Sequence, residues 1–276
     1  MNSNGRNPAR RNRKIGTKGH GSKRRKFFGI PNSDVDPRRF YEKLIAAVEL
    51  EYVLNSHRFT VVVEPTAPGW KYYLSVHDVV ELLKLIPEAD RKGLSVIAFR
   101  QPKRKERIFS PVWGRMAYWA EFGRHSGTSV VIEAQPLDYS YRLKKDVGPG
   151  FAKELDALRR DGHRIETTSR YIEISCPPEA IRATQLFRTL PHEIGHHLDY
   201  CQKVEDRYDR DEGELRDLTS LYFARPQRER EAFADRYADE VMGVFRRQNI
   251  VPFPPLPNRG EEKLNADWFY FDTASI

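Results

Sequence analysis

The sequence predicts an α+β fold, and three observations along the chain favour it. Short runs rich in β-branched and aromatic residues, which are typical of strands, occupy 57–65, 94–100, 107–119, 128–135 and 170–175. Two large helical segments come late in the chain and do not alternate regularly with these runs. The sequence contains no internal repeat. This order indicates an α+β domain instead of a regular βαβ array.

Length and composition indicate a folded protein without a membrane span. The chain has 276 residues, of which 39% are hydrophobic and 12% aromatic, enough to bury a core. No apolar stretch approaches the length that crosses a bilayer, and no apolar segment follows the basic N-terminus as a secretory signal would require. Cys176 and Cys201 are too few for a disulfide-stabilised secreted protein, so a cytoplasmic location is predicted. The sequence leaves open whether the two cysteines pair.

The net charge of +8 belongs to one end of the chain. Residues 1–28 contain ten Lys or Arg and no acidic residue, which leaves 37 basic and 39 acidic side chains in the remainder. Because residues 1–28 are nearly devoid of apolar side chains, they are predicted to form a disordered basic tail, with 29–276 as a single α+β domain. A flexible arm that binds nucleic acid and a solubilising extension both fit this composition.

Local signals place three of the predicted helices. Asp36, which a proline follows, predicts a helix start that continues to about Leu54. Ser75 predicts the N-cap of a second helix, and a third runs over about 150–161 and ends at Gly162. A buried stripe is expected on the second helix, formed by Val79, Val80, Leu82, Leu83 and Ile86.

The segment TLPHEIGHHLDY, residues 189–200, contains the motif His-Glu-Ile-Gly-His, which indicates a metal site. On a helix, His192 and His196 lie on one face, so both imidazoles can reach one metal ion. Zinc suits nitrogen ligands and lowers the pKa of a bound water to about 7. Glu193 follows the first histidine directly and can take the proton from that water without occupying a ligand position. These residues predict a zinc site with Glu193 as the general base.

Pro191 directly precedes the first predicted ligand and cannot donate a helical hydrogen bond. Two arrangements fit this sequence. Either the motif helix begins near Leu190 with Thr189 as its cap, or a longer helix is kinked at the proline. Both keep the two histidines on one face.

A third ligand, Glu231, is predicted on a later helix within a metal-site region that spans 178–248. At the angular spacing of a helix, an apolar arc is formed by Phe233, Tyr237, Val241, Val244 and Phe245. Glu231 stands at the rim of this arc, and the small Ala234 and Ala238 between them allow the helix to approach its neighbour closely. Asp235, one turn after Glu231, is predicted to accept the second ring N–H of a liganding histidine.

The sequence contains two other acidic candidates for the third ligand. Asp199 lies three residues after His196 and shares its face, so it is the alternative to Glu231. Glu229 points to the far side of the later helix and is a poor candidate. Glu231 is preferred because of its helix context and because Asp235 follows it.

HEIGH, followed 35 residues later by Glu231-Ala-Phe-Ala-Asp235, resembles the gluzincin metallopeptidases. In that family two motif histidines and a glutamate on a downstream helix bind zinc. The resemblance covers about 190–241 and implies a Zn²⁺ ion held by His192, His196 and Glu231, and peptide hydrolysis. It also implies a zincin-like fold, in which a small twisted mixed sheet packs on the active-site helix. An edge strand would pair with extended substrate, with 128–135 and 170–175 as candidates.

The remaining polar and aromatic residues give weaker expectations. His197 turns away from the ligand face, and both cysteines are expected to be small buried residues without a catalytic role. The residue that stabilises the oxyanion is left open among Tyr200, Tyr237, His163 and Arg236. The aromatic segment 267–272 is expected to pack back on its own domain rather than anchor a partner.

Two functions follow from these expectations. The first is a soluble zinc-dependent peptidase that acts on protein or peptide substrates, or on one dedicated protein partner. The alternative is a nucleic-acid-associated protein whose zinc site is structural or inactive and which binds through residues 1–28. A peptidase that cuts nucleic-acid-bound proteins would combine both.

Overall fold

The computed structural model describes residues 39–103, 112–144 and 150–273, which belong to one compact unit beginning at Arg39. The predicted tail over 1–28, its boundary with the domain at 29 and the predicted helix start at Asp36 all lie outside the described residues. Within the described residues, no helix combines the length and apolar character needed to cross a membrane.

The described residues mix strands and helices, as an α+β fold requires. The strands are β1 Val48–Leu54, β2 His57–Val63, β3 Trp70–Lys71, β4 Leu94–Arg100, β5 Gly114–Phe122, β6 His125–Glu133, β7 Gln135–Pro136, β8 Ser140–Lys144, β9 Arg164–Thr167 and β10 Tyr171–Ser175. The α-helices are α1 Val76–Leu85, α2 Glu88–Arg91, α3 Gly150–Arg160, α4 Pro178–Thr184, α5 Leu190–Tyr200, α6 Asp206–Asp209, α7 Leu215–Ala224, α8 Gln227–Arg247 and α9 Tyr270–Thr273. The predicted α+β class is confirmed.

The main sheet has five strands in the order β1-β2-β4-β6-β5. Strands β2, β4 and β6 are parallel, whereas β1 and β5 lie antiparallel at the two edges. The strands predicted over 57–65, 94–100 and 128–135 are confirmed as β2, β4 and β6. The run predicted over 107–119 is seen as β5 from Gly114 onward, and residues 104–111 lie outside the described part of the chain.

The prediction of a helix continuing to Leu54 is wrong. Residues 48–54 form β1, which pairs along its whole length with β2. A two-residue turn joins the strands, and Asn55 in it has a φ of 57°, a left-handed conformation that asparagine tolerates. Alternate side chains of β1, including Leu50 and Leu54, enter the core. That alternation is the strand signal, and pairing with β2 outweighs the helix propensity of the glutamates and leucines.

The predicted limits of α1 and α3 are confirmed. Ser75 caps α1 in both directions, because its hydroxyl accepts from the Asp78 N–H and its own N–H donates to the Asp78 carboxylate. Helix α3 ends just before Gly162, which has a φ of +100°. The predicted stripe on α1 is buried, comprising Val79, Val80, Leu82, Leu83 and Ile86.

The two faces of the main sheet bury different partners. One face, which includes Phe59 and Ile97, packs against α1, α5 and α8 in the largest hydrophobic cluster. The other face is smaller, and Tyr41 from the segment before β1 covers part of it. The motif helix α5 therefore lies on the main core, where the sheet fixes its position.

A second, three-stranded sheet supports one wall of the site. Its order is β8-β10-β9, so the strand predicted at 170–175 is confirmed as the central strand β10. Leu155 and Leu158 of α3 pack on Ile172 and Ile174 of β10 in one buried cluster. This packing holds α3 opposite the motif helix.

The motif helix belongs to a longer helical segment, as one of the two arrangements around Pro191 requires. A π-helical turn over Gln185–Thr189 joins α4 to α5, and a second over Cys201–Glu205 follows α5. Thr189 is itself helical and makes no side-chain cap, while the Leu190 N–H bonds the Gln185 carbonyl. Pro191 has no N–H to donate, and the π turn directly before it allows the helix to continue past the proline.

The aromatic segment near the C-terminus packs back on the domain, as predicted. Phe269 is 1% exposed and contacts the rings of Tyr72 and Phe99. The backbone of Tyr72 exchanges hydrogen bonds with Trp268 and Tyr270. Both cysteines are free thiols.

Candidate metal centre and cleft

Gly195 allows α5 and α8 to pack at close range. A Cβ atom at this position would lie 2.8 Å from the Cα and 3.0 Å from the carbonyl oxygen of Ala234. Ala234 is fully buried and Ala238 nearly so, as their small size predicted. This contact brings Glu231, one turn before Ala234, to the histidine face of α5.

Three donor atoms converge between these helices. The Oε2 atom of Glu231 lies 3.3 Å from Nε2 of His192 and 3.5 Å from Nε2 of His196. One ligand atom from each residue lies within 4.8 Å of the others, and the described residues contain no second group of three or more His, Cys, Asp or Glu with this property. The structure thus brings together the three residues predicted as ligands.

These separations fit a metal ion. Two ligand atoms bound at zinc distances in a tetrahedral site are about 3.3–3.6 Å apart, close to the two observed distances. Nδ1 of His192 lies 3.0 Å from Oδ1 of Asp235, a partner that would keep the proton on Nδ1 and leave the Nε2 lone pair to a bound metal ion. Oε1 of Glu231 accepts a hydrogen bond from Gln227 at 3.3 Å, so Oε2 is the oxygen that faces the histidines.

The charges of the group favour a cation. Burial lowers the pKa of His192, but the hydrogen bond to Glu231 and the charges of Glu193 and Asp235 outweigh it and raise that pKa overall. Hydrogen bonds from His192 and His196 hold the pKa of the Glu231 carboxyl well below its usual range. Three carboxylates around two imidazoles concentrate negative charge, which a bound cation would neutralise.

Glu193 is buried beside the two histidines. Its Oε2 atom accepts a hydrogen bond from the backbone N–H of Met116 in β5 at 2.7 Å, which fixes the carboxylate between α5 and the outer strand. Burial raises the pKa of the Glu193 carboxyl, while the charges of His192 and His196 oppose that shift. A carboxylate with a raised pKa is a better proton acceptor than a fully solvated one.

The two other acidic candidates, Asp199 and Glu229, lie near Arg225 instead. Asp199 is fully buried, and its Oδ2 atom accepts a hydrogen bond from Arg225 at 2.8 Å. Glu229 is exposed and lies 3.8 Å from the same arginine. Glu231 is the carboxylate that the fold brings to both histidines.

We call His192, His196 and Glu231 the metal group. A cleft of about 580 Å³ opens beside it, and His192, Glu193 and Glu231 line this cleft. Its walls come from residues 112–114 at the start of β5, from α3, from α8, and from α5 with its preceding turn. A second cavity of about 240 Å³ adjoins it between α3 and α8. The two cavities share five lining residues, namely Ala157, Arg160, Arg188, Ala238 and Asp239.

None of the four residues considered for oxyanion stabilisation lines this cleft. Tyr200 and His163 are buried and hydrogen-bond to threonine hydroxyls away from it. Tyr237 donates to the carboxylate of Asp90 at 3.0 Å, and Arg236 is exposed on α8. The structure therefore does not support these assignments.

Both candidates for the substrate-pairing strand are wrong. The segment 128–135 forms β6, which lies between β4 and β5, and 170–175 forms β10, which lies between β8 and β9. Interior strands have both edges paired and cannot accept another strand. The outer strand beside Glu193 is β5.

Two contributors to the site were not predicted from the sequence. Arg188 lines the cleft one helical turn before His192, and its spacing of four residues was the available signal. Met116 acts through its backbone N–H, which no side-chain pattern reports.

No family model matches the sequence, and no similar curated protein or solved structure was found. The resemblance to gluzincins therefore depends on the motif residues alone.

Proposed function

We propose that this protein is a zinc-dependent peptidase with a zincin-like fold. The convergence of His192, His196 and Glu231 at distances suited to one metal ion, with Glu193 buried beside them, supports the proposal. Three protein donors leave one tetrahedral position open, as catalytic zinc sites do, whereas structural sites are closed by four. No fourth His, Cys, Asp or Glu joins the group in the described part of the chain.

The roles of the side chains follow from their positions. His192, His196 and Glu231 would hold the zinc ion, and Asp235 keeps the His192 ring oriented through Nδ1. Bound zinc would supply a Lewis acid that polarises a carbonyl group and acidifies a water molecule. Glu193 accepts the proton of the attacking water and delivers it to the leaving amine.

The outer strand β5 supplies a place for an extended substrate. Met116 holds Glu193 through its N–H, and Gly114 of the same strand lines the cleft. A peptide that adds to the edge of β5 would bring its carbonyl between Glu193 and the histidines. Gly114 lets β5 pack closely on its neighbours, because a Cβ atom there would lie 2.8 Å from the carbonyl oxygen of Val131 and 3.0 Å from the methyl group of Thr189 on the turn before α5.

Nucleic-acid binding through residues 1–28 is a separate proposal supported by the charge of that segment. It is compatible with peptidase activity. Removal of these residues should abolish any salt-sensitive binding to DNA or RNA while leaving zinc binding intact. Binding that persists after the removal would reject this role for the tail.

Glu193→Gln separates metal binding from hydrolysis. We expect the variant to retain one zinc ion per chain and to lose about 10²–10⁴-fold in kcat, because only the proton acceptor is removed. Zinc is measured by elemental analysis and hydrolysis by mass spectrometry of a mixed peptide library. Glu229→Gln, an exposed change on α8, is the matched control and should retain both properties.

Three results would contradict the proposal at different levels. Stoichiometric zinc in both His192→Ala and Glu231→Ala would reject the ligands. Undiminished hydrolysis in Glu193→Gln would reject the general base. A zinc-loaded wild-type protein that cuts no peptide in the library would reject peptidase activity while leaving the metal site.

A further inference from the structure

The cleft extends away from the metal group between α3 and α8. We call this extension the side branch and define it by the five residues that both cavities share, Ala157, Arg160, Arg188, Ala238 and Asp239. One small residue comes from each wall, Ala157 from α3 and Ala238 from α8. They leave room for a group of a bound substrate.

Three cations in or beside the side branch have no carboxylate partner among the described residues. Lys153 and Arg160 lie on the cleft face of α3 at positions i and i+7, and Arg246 lies near the end of α8. None of these three makes an ion pair with another residue that the structure describes, and neither does Asp239 on the opposite wall. Arg160 is the one of the three cations that lines both cavities.

Arg188 neutralises the other acidic residues next to the side branch. Its Nε donates to Asp161 at 2.7 Å, and its Nη1 donates to both oxygens of Glu154 at 3.0 and 3.1 Å. Its Nη2 is buried without a hydrogen-bond partner among the described residues. A buried N–H group without an acceptor is unfavourable, so Arg188 retains a donor that a water or a ligand could satisfy.

The unpaired charges of the side branch are thus positive in excess. With Asp161 engaged by Arg188, the described residues of the smaller cavity that make no ion pair are the cations Arg160 and Arg246 and the acid Asp239. A guanidinium binds a carboxylate through paired, charge-assisted hydrogen bonds. This charge distribution favours an acidic group over a basic one.

We propose that the side branch binds a carboxylate of the substrate close to the bond that is cut, with Arg160 as the specificity-determining residue. Arg188 is a positioning residue, because it fixes α3 to the turn before α5. This inference rests on the proposed peptidase function. The carboxylate can belong to an Asp or Glu side chain or to the free C-terminus of a short peptide, since both present the same group to Arg160.

Matched peptides test the proposal. One set differs only by Glu, Gln or Lys at the position next to the cleaved bond and has amidated C-termini, while a second set has a free or an amidated C-terminus after a neutral residue. We expect wild-type kcat/KM to favour the carboxylate about tenfold in one of the two sets, as a charge-assisted hydrogen bond allows. The set that shows the preference identifies the source of the carboxylate.

Variants of two adjacent arginines assign the preference. Arg160→Gln should reduce the ratio of acidic to neutral peptide to near one, and Arg160→Glu should invert it toward Lys, mainly through KM. Arg159→Gln is the control, because Arg159 is exposed, pairs with Asp156 at 2.7 Å and lines neither cavity. Its preference should match that of the wild type.

Binding to Glu193→Gln separates failure of this inference from failure of the proposed function. Fluorescence anisotropy with the same peptides reports binding without cleavage. If no peptide is cut but acidic peptides bind through Arg160, the peptidase proposal fails and the side branch stands. Equal binding and equal cleavage of acidic and neutral peptides, or a preference that survives Arg160→Glu, would overturn the inference.

Discussion

His196 and His197 are neighbours on α5 and lie in opposite environments. His196 faces α8, with its Nε2 atom 3.5 Å from the carboxylate of Glu231. His197 is 1% exposed, and its Nε2 donates to the carbonyl oxygen of Lys92 at 2.8 Å. Burial lowers the pKa of His197, although the hydrogen bond to Lys92 opposes the shift. One position along the helix separates an imidazole that faces the carboxylate of Glu231 from an imidazole that binds the backbone carbonyl of Lys92.

Residue types alone do not distinguish the two sides of this helix. Beside His197, the thiol of Cys201 lies 3.6 Å from Nδ1 and donates to Glu205 at 3.2 Å. Burial raises the pKa of that thiol, which keeps it protonated and a poor ligand. Donor atoms from His197, Cys201 and Glu205 do not converge as those of the metal group do. Convergence of three donor atoms distinguishes the candidate site from the surroundings of His197.

Replacing each neighbour in turn gives the largest expected contrast. His196→Ala should lower zinc affinity by more than about 100-fold, beyond the loss typical of an outer partner. His197→Ala should retain zinc affinity but lower the unfolding free energy by about 1–3 kcal/mol, because the Lys92 carbonyl loses its donor. Competition titration with a zinc chelator and denaturant unfolding measure the two effects. Equal losses of zinc affinity in both variants would contradict the assignment of His196, and not His197, to the metal site.

Asp235 is expected to affect zinc binding through its carboxylate, which lies 3.0 Å from Nδ1 of His192. Asp235→Ala should weaken zinc binding by about 10–100-fold, as expected when the carboxylate that orients a liganding histidine is lost. Glu240→Ala, an exposed change on the same helix, is the control and should match the wild type in the same titration. Unchanged affinity in Asp235→Ala would remove Asp235 from the site.

The composition of the candidate metal site was largely predictable from the spacing of its residues along two helices. The spacing of His192 and His196, and the position of Glu231 and Asp235 around small alanines, are local properties of two helices. The structure brings these four residues together. The capping box of Ser75 and the end of α3 before Gly162 are similarly local, so the sequence also indicated them.

The sequence did not predict the features that depend on residues far apart in the chain. The strand β1 is stabilised by pairing with β2, which outweighs a helical local composition. The order of strands in the sheet decides which strand is outermost, and no pattern within 128–135 or 170–175 reports that order. The hydrogen bond from Met116 to Glu193 joins a backbone group to a side chain 77 positions later.

A smaller effect is expected at Gly195, where α5 and α8 pack together. In Gly195→Ala the new methyl group would clash with the backbone of Ala234, so we expect a stability loss of about 1–3 kcal/mol from overpacking. Zinc affinity should fall at the same time because Glu231 moves with α8.

Gly243→Ala on α8 is the matched control for Gly195→Ala. A Cβ atom there meets only the flexible end of Arg247 at 3.3 Å, and alanine favours a helix by up to about 1 kcal/mol over glycine. The control should therefore be neutral or stabilising, as measured by thermal unfolding. A Gly195→Ala variant as stable and as zinc-competent as this control would show that the helices do not need the close contact.

The smallest expected effect concerns His163, which is buried like His197. Burial lowers the pKa of His163 from 6.5 to about 4. Between these values the unfolded chain binds a proton that the native state excludes, so this residue reduces stability as pH falls from 6.5 to about 4. His163→Gln should make the unfolding free energy of the zinc-free protein less dependent on pH in that window. A slope equal to that of the wild type would contradict this assignment.

The π-helical turn over Gln185–Thr189 sets the rotation of everything that follows it. A π turn contains about one residue more than an α turn, so Arg182 and His192 are about 180° apart around the helix axis instead of about 280°. Arg182 can therefore face inward and bind Asp78 at 2.7 and 3.0 Å, while His192 opens to the cleft on the other side. If the same residues formed a continuous α-helix, His192 and His196 would be rotated by about 100° away from Glu231. The extra residue allows a single helix to be anchored on one side and to expose its reactive groups on the other.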